Sequence, residues 1–386
     1  MSHDLPDFPI GAVYLDCNAT TPVDEEVAAA VLHFMKAEFG NAGSRTHEHG
    51  ARAKRAVQEA RRQVAAVVAV TPDEVIFTSG ATESNNLALL GLADHGLATG
   101  RTHIVSSLIE HKAVLEPLER LTKKGFEVSL VPPDEFGRIS VDAIRRVLKP
   151  NTLLVSLMHV NNETGVIQPV SEVASVLQDS QIFLHVDAAQ GFGKDLEALR
   201  NPRIDLISMS GHKLYAPKGI GALIARRRGF ERPPLVPLIL GGGQERGLRG
   251  GTLPVPLIVG LGLACASALR DKEARTRQCM AFREKLVTHV ISWGGVLHGQ
   301  LDSIIPNTLN FHFPGLDSEA VMLALKDLVE ISNGSACTSQ NYTPSHVLQA
   351  MGMSDDAVRG ALRVSWFHET PEPDWVGMER ALAKMA

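Results

Sequence analysis

Three residues carry the chemistry in this sequence: a lysine and an aspartate at strand-end positions, and a cysteine in a run of small polar residues. Lys213 lies in SMSGHKLYAPKGIG (208–221), where an apolar strand runs into a Ser-Gly-His-Lys turn. Open α/β sheets bind ligands at the carboxyl ends of their strands. A lysine held there, its pKa lowered by partial desolvation, condenses with a carbonyl as a Schiff base. The same pattern also suits a surface cation. Asp187 closes the strand-like run IFLHVD, and Gln190 follows one turn later. A carboxylate beside a lysine can be a structural ion pair. It is also what pyridoxal phosphate needs: the lysine takes the aldehyde, and the carboxylate keeps the pyridine nitrogen protonated so that the ring draws electrons.

Further segments place polar residues at the same edge. SGATESNN (79–86) follows the strand VIFTS and opens an apolar helix. Small residues at a helix N-terminus offer free N–H groups to an anion, so Ala81 and Thr82 form a candidate phosphate cradle, with a plain N-cap as the alternative. Asn162 ends another strand, in VNNE, and His111 opens a helix just past HIVSS as a catalyst or a cap. Of the four cysteines, Cys265 sits in an apolar stretch, Cys279 in a charged helical one and Cys17 beside an early strand. Cys337 alone lies among small polar residues, in SNGSACTSQNYTPSHVLQAMG (332–352), a setting suited to presenting a reactive thiol.

These residues need a scaffold with many strand ends on one side, and the sequence supplies it. Short β-branched runs at 75–79, 103–107, 127–131, 152–160, 182–187, 205–210 and 221–225 alternate with helical windows at 48–68, 111–124, 141–148 and 170–177. Most runs are apolar throughout, as in strands covered on both faces, which predicts a largely parallel α/β sheet. After about residue 230 the rhythm changes. A Pro/Gly-rich passage precedes a long helical stretch over about 257–291, strand-like NTLNFHF (307–313), a helix at 317–328, LVEIS (328–332) and two closing helices. This predicts a large domain over 18–255 and a smaller α/β domain formed by 256–386 with 1–17.

The 386 residues carry a net charge of −5, with 44% hydrophobic and 21% charged residues, which excludes disorder and a disulfide-rich secreted module. Neither nucleic-acid binding nor membrane attachment is expected, the N-terminal segment lacks a signal-peptide layout, and the expected location is cytoplasmic. No Cys/His spacing reads as a metal site. The basic clusters Arg52/Lys54/Arg55 with Arg61/Arg62, and Arg226–Arg228, read as solvated faces.

The motifs YLDCNATTPVDEEV (14–27), SGATESNN, EHKAVLEP, HVNNETGVIQP (159–169), HVDAAQ, SGHKLYAPKGIG, RGGTLP (249–254), NGSACTS (333–339) and ALRVSW (361–366) occur in an order that resembles the cysteine desulfurases. These are pyridoxal phosphate enzymes of the class V aminotransferase group. The resemblance spans about residues 13 to 370 and is to the longer-loop subgroup of iron–sulfur-cluster and nitrogenase-maturation enzymes. It implies the fold-type I pyridoxal phosphate-dependent transferase fold and the conversion of L-cysteine to L-alanine. The sulfur is held as a persulfide on Cys337 and passed to an acceptor protein serving iron–sulfur assembly, tRNA thiolation or DNA phosphorothioation. The resemblance also assigns roles. Lys213 is the Schiff-base lysine, Asp187 pairs with the pyridine nitrogen, Gln190 bonds the phenolic oxygen and His111 stacks on the ring. Ala81, Thr82, Ser210 and His212 hold the phosphate, and Thr252 reaches that of the neighbouring subunit in a homodimer. Asn162 and Arg363 bind the substrate carboxylate. Two segments depart from the family pattern, AGSRTH (42–47) and Phe367-His368. Alternatives are an aminotransferase or selenocysteine lyase of the same fold, or a catalytically inactive sulfur-relay scaffold.

Overall fold

The computed structural model describes residues 11–333 and 344–385. The first strand, β1 (Val13–Tyr14), is short. The next seven, β2 (Val75–Thr78), β3 (His103–Ser107), β4 (Glu127–Val131), β5 (Thr152–Met158), β6 (Phe183–Asp187), β7 (Leu206–Ser210) and β8 (Gly221–Ala225), form one sheet in the order β2-β8-β7-β6-β5-β3-β4. Within it only β8 runs against its neighbours, antiparallel to β2 and β7. The carboxyl ends of β2, β3, β5, β6 and β7 therefore open on a common edge.

Helices cover both faces of this sheet, which is why its strands are apolar on both sides. One face buries Val155, Val186, Ile207 and Met209 with the helices Glu48–Val67 and Val255–Arg270. The other buries Ile76, Leu154, Leu206 and Leu223 against Ala81–Leu90 and Lys112–Thr122. Four further strands, β9 (Val296–Leu297), β10 (Thr308–His312), β11 (Val329–Glu330) and β12 (Leu362–Ser365), make two smaller sheets. β10 lies antiparallel between β12 and β9, while β11 pairs in parallel with β1. Leu15, Phe282, Leu309, Val364 and Trp366 share their core. No helix among the described residues is long and apolar enough to cross a membrane.

The helical stretch over about 257–291 is made of two helices, Val255–Arg270 and Lys272–Ser292, parted at Asp271, whose carboxylate engages Arg270 and accepts from Ser267 Oγ. The sequence reading is corrected in three places. An unforeseen helix, Glu25–Lys36, is capped by Asp24, which accepts from the Glu26 N–H. Among the described residues three helices, not two, follow β11 (His346–Ala350, Asp355–Gly360 and Trp375–Ala383), and the motif ALRVSW supplies strand β12. Finally, two of the clustered arginines are interior. Arg61 is 4% exposed and grips Glu245 at 2.6 and 2.9 Å, and the Arg226 guanidinium donates to the carbonyls of Val68 and Leu199. A stretch rich in charge does not reveal which guanidinium points inward to bind backbone carbonyls.

Candidate active site

Lys213 closes the short turn Gly211–Lys213 that leaves β7, so its position follows from the strand end. Its Nζ donates to the carbonyls of Asn18 and, at 2.6 Å, Ala19. The 16–20 segment is itself pinned to the small sheet: the Asn18 N–H donates to Ser365 Oγ at 2.8 Å and Asn18 Nδ2 to Thr308 Oγ1 at 3.0 Å. The lysine is thus positioned by both halves of the molecule.

Asp187 emerges at the end of β6, 5% exposed, with both oxygens engaged. Oδ1 accepts from the Ala189 N–H at 3.0 Å, and Oδ2 accepts from Asn85 Nδ2 at 2.7 Å. Gln190 donates through Nε2 to the Asn18 carbonyl at 2.9 Å, leaving Oε1 buried without a partner among the described residues. His111 is the N-cap of Lys112–Thr122, and its Nδ1 accepts from the Ala113 N–H at 3.1 Å. The capping and catalytic readings of this residue are therefore compatible. With Nδ1 an acceptor, the neutral ring carries its proton on Nε2. Burial holds its pKa below the usual histidine range, opposed by Asp187.

The Ala81–Leu90 helix opens with no side-chain cap, after Gly80 at φ 154°. The turn is closely packed: a Cβ on Gly221 would stand 2.6 Å from Gly80 Cα and 2.4 Å from the Met209 carbonyl oxygen. Only glycine lets β8 pass here. Ser210 ends β7 on this side of the sheet. His212 is within 3.2 Å of Thr20 Oγ1, and burial pushes its pKa down to about 4, so it is neutral at physiological pH.

Together these groups line a cleft of about 400 Å³, within the range of ~300–1,000 Å³ usual for small-molecule sites. Ala81, Thr82, His111, Asn162, Asp187, Gln190, Ser210, His212, Lys213 and Arg363 all border it, so one cavity gathers ten of the residues singled out in the sequence. Arg363 is buried and partly engaged, donating to Asp16 at 2.6 Å and to the Asn162 carbonyl at 3.1 Å, with Nε unpartnered among the described residues. Thr252 is exposed and does not border the cleft. Cys337 lies outside the described residues.

Sequence reasoning missed three contributors. Asn85 sits four residues after Ala81, on the same helical face as the cradle, so helical spacing could have shown it. Asn18 is supplied from far away in the chain. Glu110, fully buried beside His111, accepts from Ser107 Oγ and the Met158 N–H, and burial pushes its pKa up to about 8. The helix starting at His346 docks onto these same turns: Ser345 Oγ donates to Glu163 at 2.5 Å, and His346 Nε2 donates to the Glu110 carbonyl at 3.0 Å.

The donor set fits pyridoxal phosphate. An uncapped helix N-terminus suits the phosphate, a buried carboxylate the pyridine nitrogen and a lysine the aldehyde, while Gln190 keeps an amide at the wall between them. Comparison with known proteins agrees: the family model described as Aminotransferase class-V matches residues 13–374. The chain belongs to this family. The cysteine desulfurase IscS of Anaeromyxobacter dehalogenans is 43% identical to this class-V chain over 356 residues, 91% of this chain and 86% of that protein. The crystal structure of DndA from Streptomyces lividans is 54% identical, with a TM-score of 0.81 over 90% of this chain and 98% of that one. The structure of SspA in complex with cysteine is 38% identical, with a TM-score of 0.78 over 92% of this chain and 98% of that one.

Proposed function

We propose that this class-V protein is a cysteine desulfurase that converts L-cysteine to L-alanine and passes the sulfur from Cys337 to an acceptor protein. The observation that carries the reading is the pairing, in one cleft, of the Lys213 amine with a carboxylate held by two donors, Asp187. The similarity to IscS and to a solved structure holding cysteine supports the choice of substrate.

Pyridoxal phosphate supplies the electron sink that lets a proton leave the substrate Cα. Lys213 would hold the cofactor through its aldehyde, and its Nζ would take the substrate Cα proton. Its carbonyl partners at 18 and 19 hold it at the cleft wall in the meantime. Asp187 keeps the pyridine nitrogen protonated, and Asn85 fixes the plane of that carboxylate. Gln190 bonds the phenolic oxygen. His111 would help to hold the ring, and its Nε2 would move a proton. Ala81, Thr82, Ser210 and His212 hold the phosphate, with Thr252 donated from a second protomer of a homodimer. Asn162 and Arg363 orient the substrate carboxylate. The Cys337 thiolate then forms a bond to the substrate sulfur. The C–S bond breaks with its electron pair left on the carbon fragment, which takes up protons and leaves as alanine. Cysteine suits this step because a thiolate is a soft nucleophile that can store the sulfur. The 18–255 segment would act as the cofactor-binding domain and 256–386 with 1–17 as the smaller one, in a cytoplasmic enzyme.

Borohydride treatment of the holoprotein tests this. The visible band should disappear, and the cofactor mass should stay on the peptide containing Lys213. Lys213→Ala should show neither effect and no turnover. A wild-type protein that remains colourless after added pyridoxal phosphate would overturn the proposal.

A further inference from the structure

Arg363, assigned above to the substrate carboxylate, already has a carboxylate partner within its own chain. Its Nη2 donates to Asp16 Oδ1 at 2.6 Å, and its Nη1 donates to the Asn162 carbonyl at 3.1 Å. The local pattern explains the meeting. On β12, Leu362 and Val364 turn into the small core, so Arg363 between them faces the other way. Leu15 enters the same core, and its neighbour Asp16 pairs with Ser365, two residues beyond Arg363. The Tyr14 hydroxyl donates between the carbonyls of Asp16 and Thr20, at 2.9 and 3.0 Å. It thereby closes the turn whose carbonyls at 18 and 19 hold Lys213. Arg363 borders the cleft and Asp16 does not, so the aspartate acts on the site through the arginine. Glu163, whose charge also couples to the guanidinium, is bonded to Ser345 instead, and burial pushes its pKa up. Asp16 is therefore the countercharge that lets a buried arginine sit at the cleft wall; a buried cation without one is strongly destabilising.

We propose, resting on the assignment of Arg363 to the substrate carboxylate, that Asp16 is a positioning residue that sets how tightly the cleft takes a carboxylate. A guanidinium offers five N–H groups, and among the described residues Arg363 uses two of them, so an incoming carboxylate is bound while Asp16 stays in place. Two carboxylates then share one cation, and their mutual repulsion weakens the binding. The weakening has a use. L-Cysteine and L-alanine carry the same carboxylate, so tight binding there would hold product as firmly as substrate and would not speed the chemistry. Asp16 keeps Arg363 aimed and neutralised while leaving its grip on either amino acid loose.

Titration of the holoprotein with L-alanine and with ethylamine, followed by the visible cofactor band, tests this. The two amines differ by the carboxylate alone. Asp16→Asn keeps an acceptor oxygen and removes the charge, so L-alanine should bind about tenfold tighter while ethylamine changes by less than about twofold. The KM for L-cysteine should fall in parallel, with no rise in kcat. Without ligand, Asp16→Asn should melt below wild type, and saturating L-alanine should narrow that gap, which a merely structural aspartate would leave unchanged. L-Alanine affinity in Asp16→Asn that is weaker than wild type, or within about twofold of it, overturns the proposal, as does an equal gain for ethylamine. Should Asp16→Asn fail to fold, Asp16→Ser, which also removes the charge and keeps an oxygen, decides by the same titration. Arg363→Gln separates the two claims. L-Alanine affinity untouched by Arg363→Gln would refute the assignment of Arg363 and the role of Asp16 together. Affinity lost in Arg363→Gln but not gained in Asp16→Asn refutes the role of Asp16 alone. Neither the titration nor the melting requires turnover.

Discussion

Replacing Asn85 by alanine isolates a contact on which the proposed chemistry depends. The Asn85 amide donates to Asp187 Oδ2 at 2.7 Å, with both residues buried, and among the described residues the other donor to that carboxylate is the Ala189 N–H at 3.0 Å. A hydrogen bond to a charged group contributes about 1.5–3 kcal/mol. If the whole loss falls on the transition state, where the pyridine nitrogen must stay protonated, alanine release from L-cysteine slows roughly 10- to 150-fold. Cofactor retention should change less, because the phosphate cradle and Lys213 are untouched. Chromatographic assay of alanine, with the visible spectrum recorded across pH, checks both points. Asn85→Asp should behave differently: two carboxylates at hydrogen-bond distance share a proton, so activity should fall further as pH rises. Asn85→Ala turnover within about twofold of wild type would refute the reasoning, since a lost bond of this kind is worth at least tenfold.

Other consequences concern stability. Burial holds the Glu110 carboxyl protonated up to about pH 8, whereas in the unfolded chain it titrates near the ordinary value of 4.5. Between these values the unfolded state loses the proton first. This group therefore makes stability fall with rising pH, by up to about 1.4 kcal/mol per pH unit. Glu110→Gln should flatten the urea midpoint across that window, and an unchanged slope would show that Glu110 does not titrate as described. Trp366 is fully buried, donates from Nε1 to the Cys279 carbonyl at 3.1 Å and packs on Phe282 with ring centroids 5.1 Å apart. Trp366→Ala should destabilise by about 3–5 kcal/mol in chemical denaturation, and a loss below about 1 kcal/mol would contradict the packing.

The large sheet was legible because its strands are short, β-branched and apolar on both faces, with helices between them. Lys213, Asp187, His111 and Asn162 could be read because each sits at or just past a strand end. What stayed hidden depends on contacts across the chain. β1 and β9 have two residues each, too short for a period to show, and β12 looked like a motif because its pairing with β10 is set by distant residues. Asn18 reaches the site only once the small sheet has pinned it. Arg61 resembles its exposed neighbours until Glu245, far along the chain, closes on it.

The central claim is that sulfur leaves substrate cysteine through Cys337. The most direct measurement is a single incubation of holoprotein with L-cysteine, with released alanine and protein-bound sulfane sulfur quantified together and the modified peptide located by mass spectrometry. Alanine and bound sulfur should form in equal amounts, with the added sulfur atom on the Cys337 peptide, and Cys337→Ser should keep its cofactor band and give neither product. Alanine and bound persulfide formed at the wild-type rate by Cys337→Ser would contradict it.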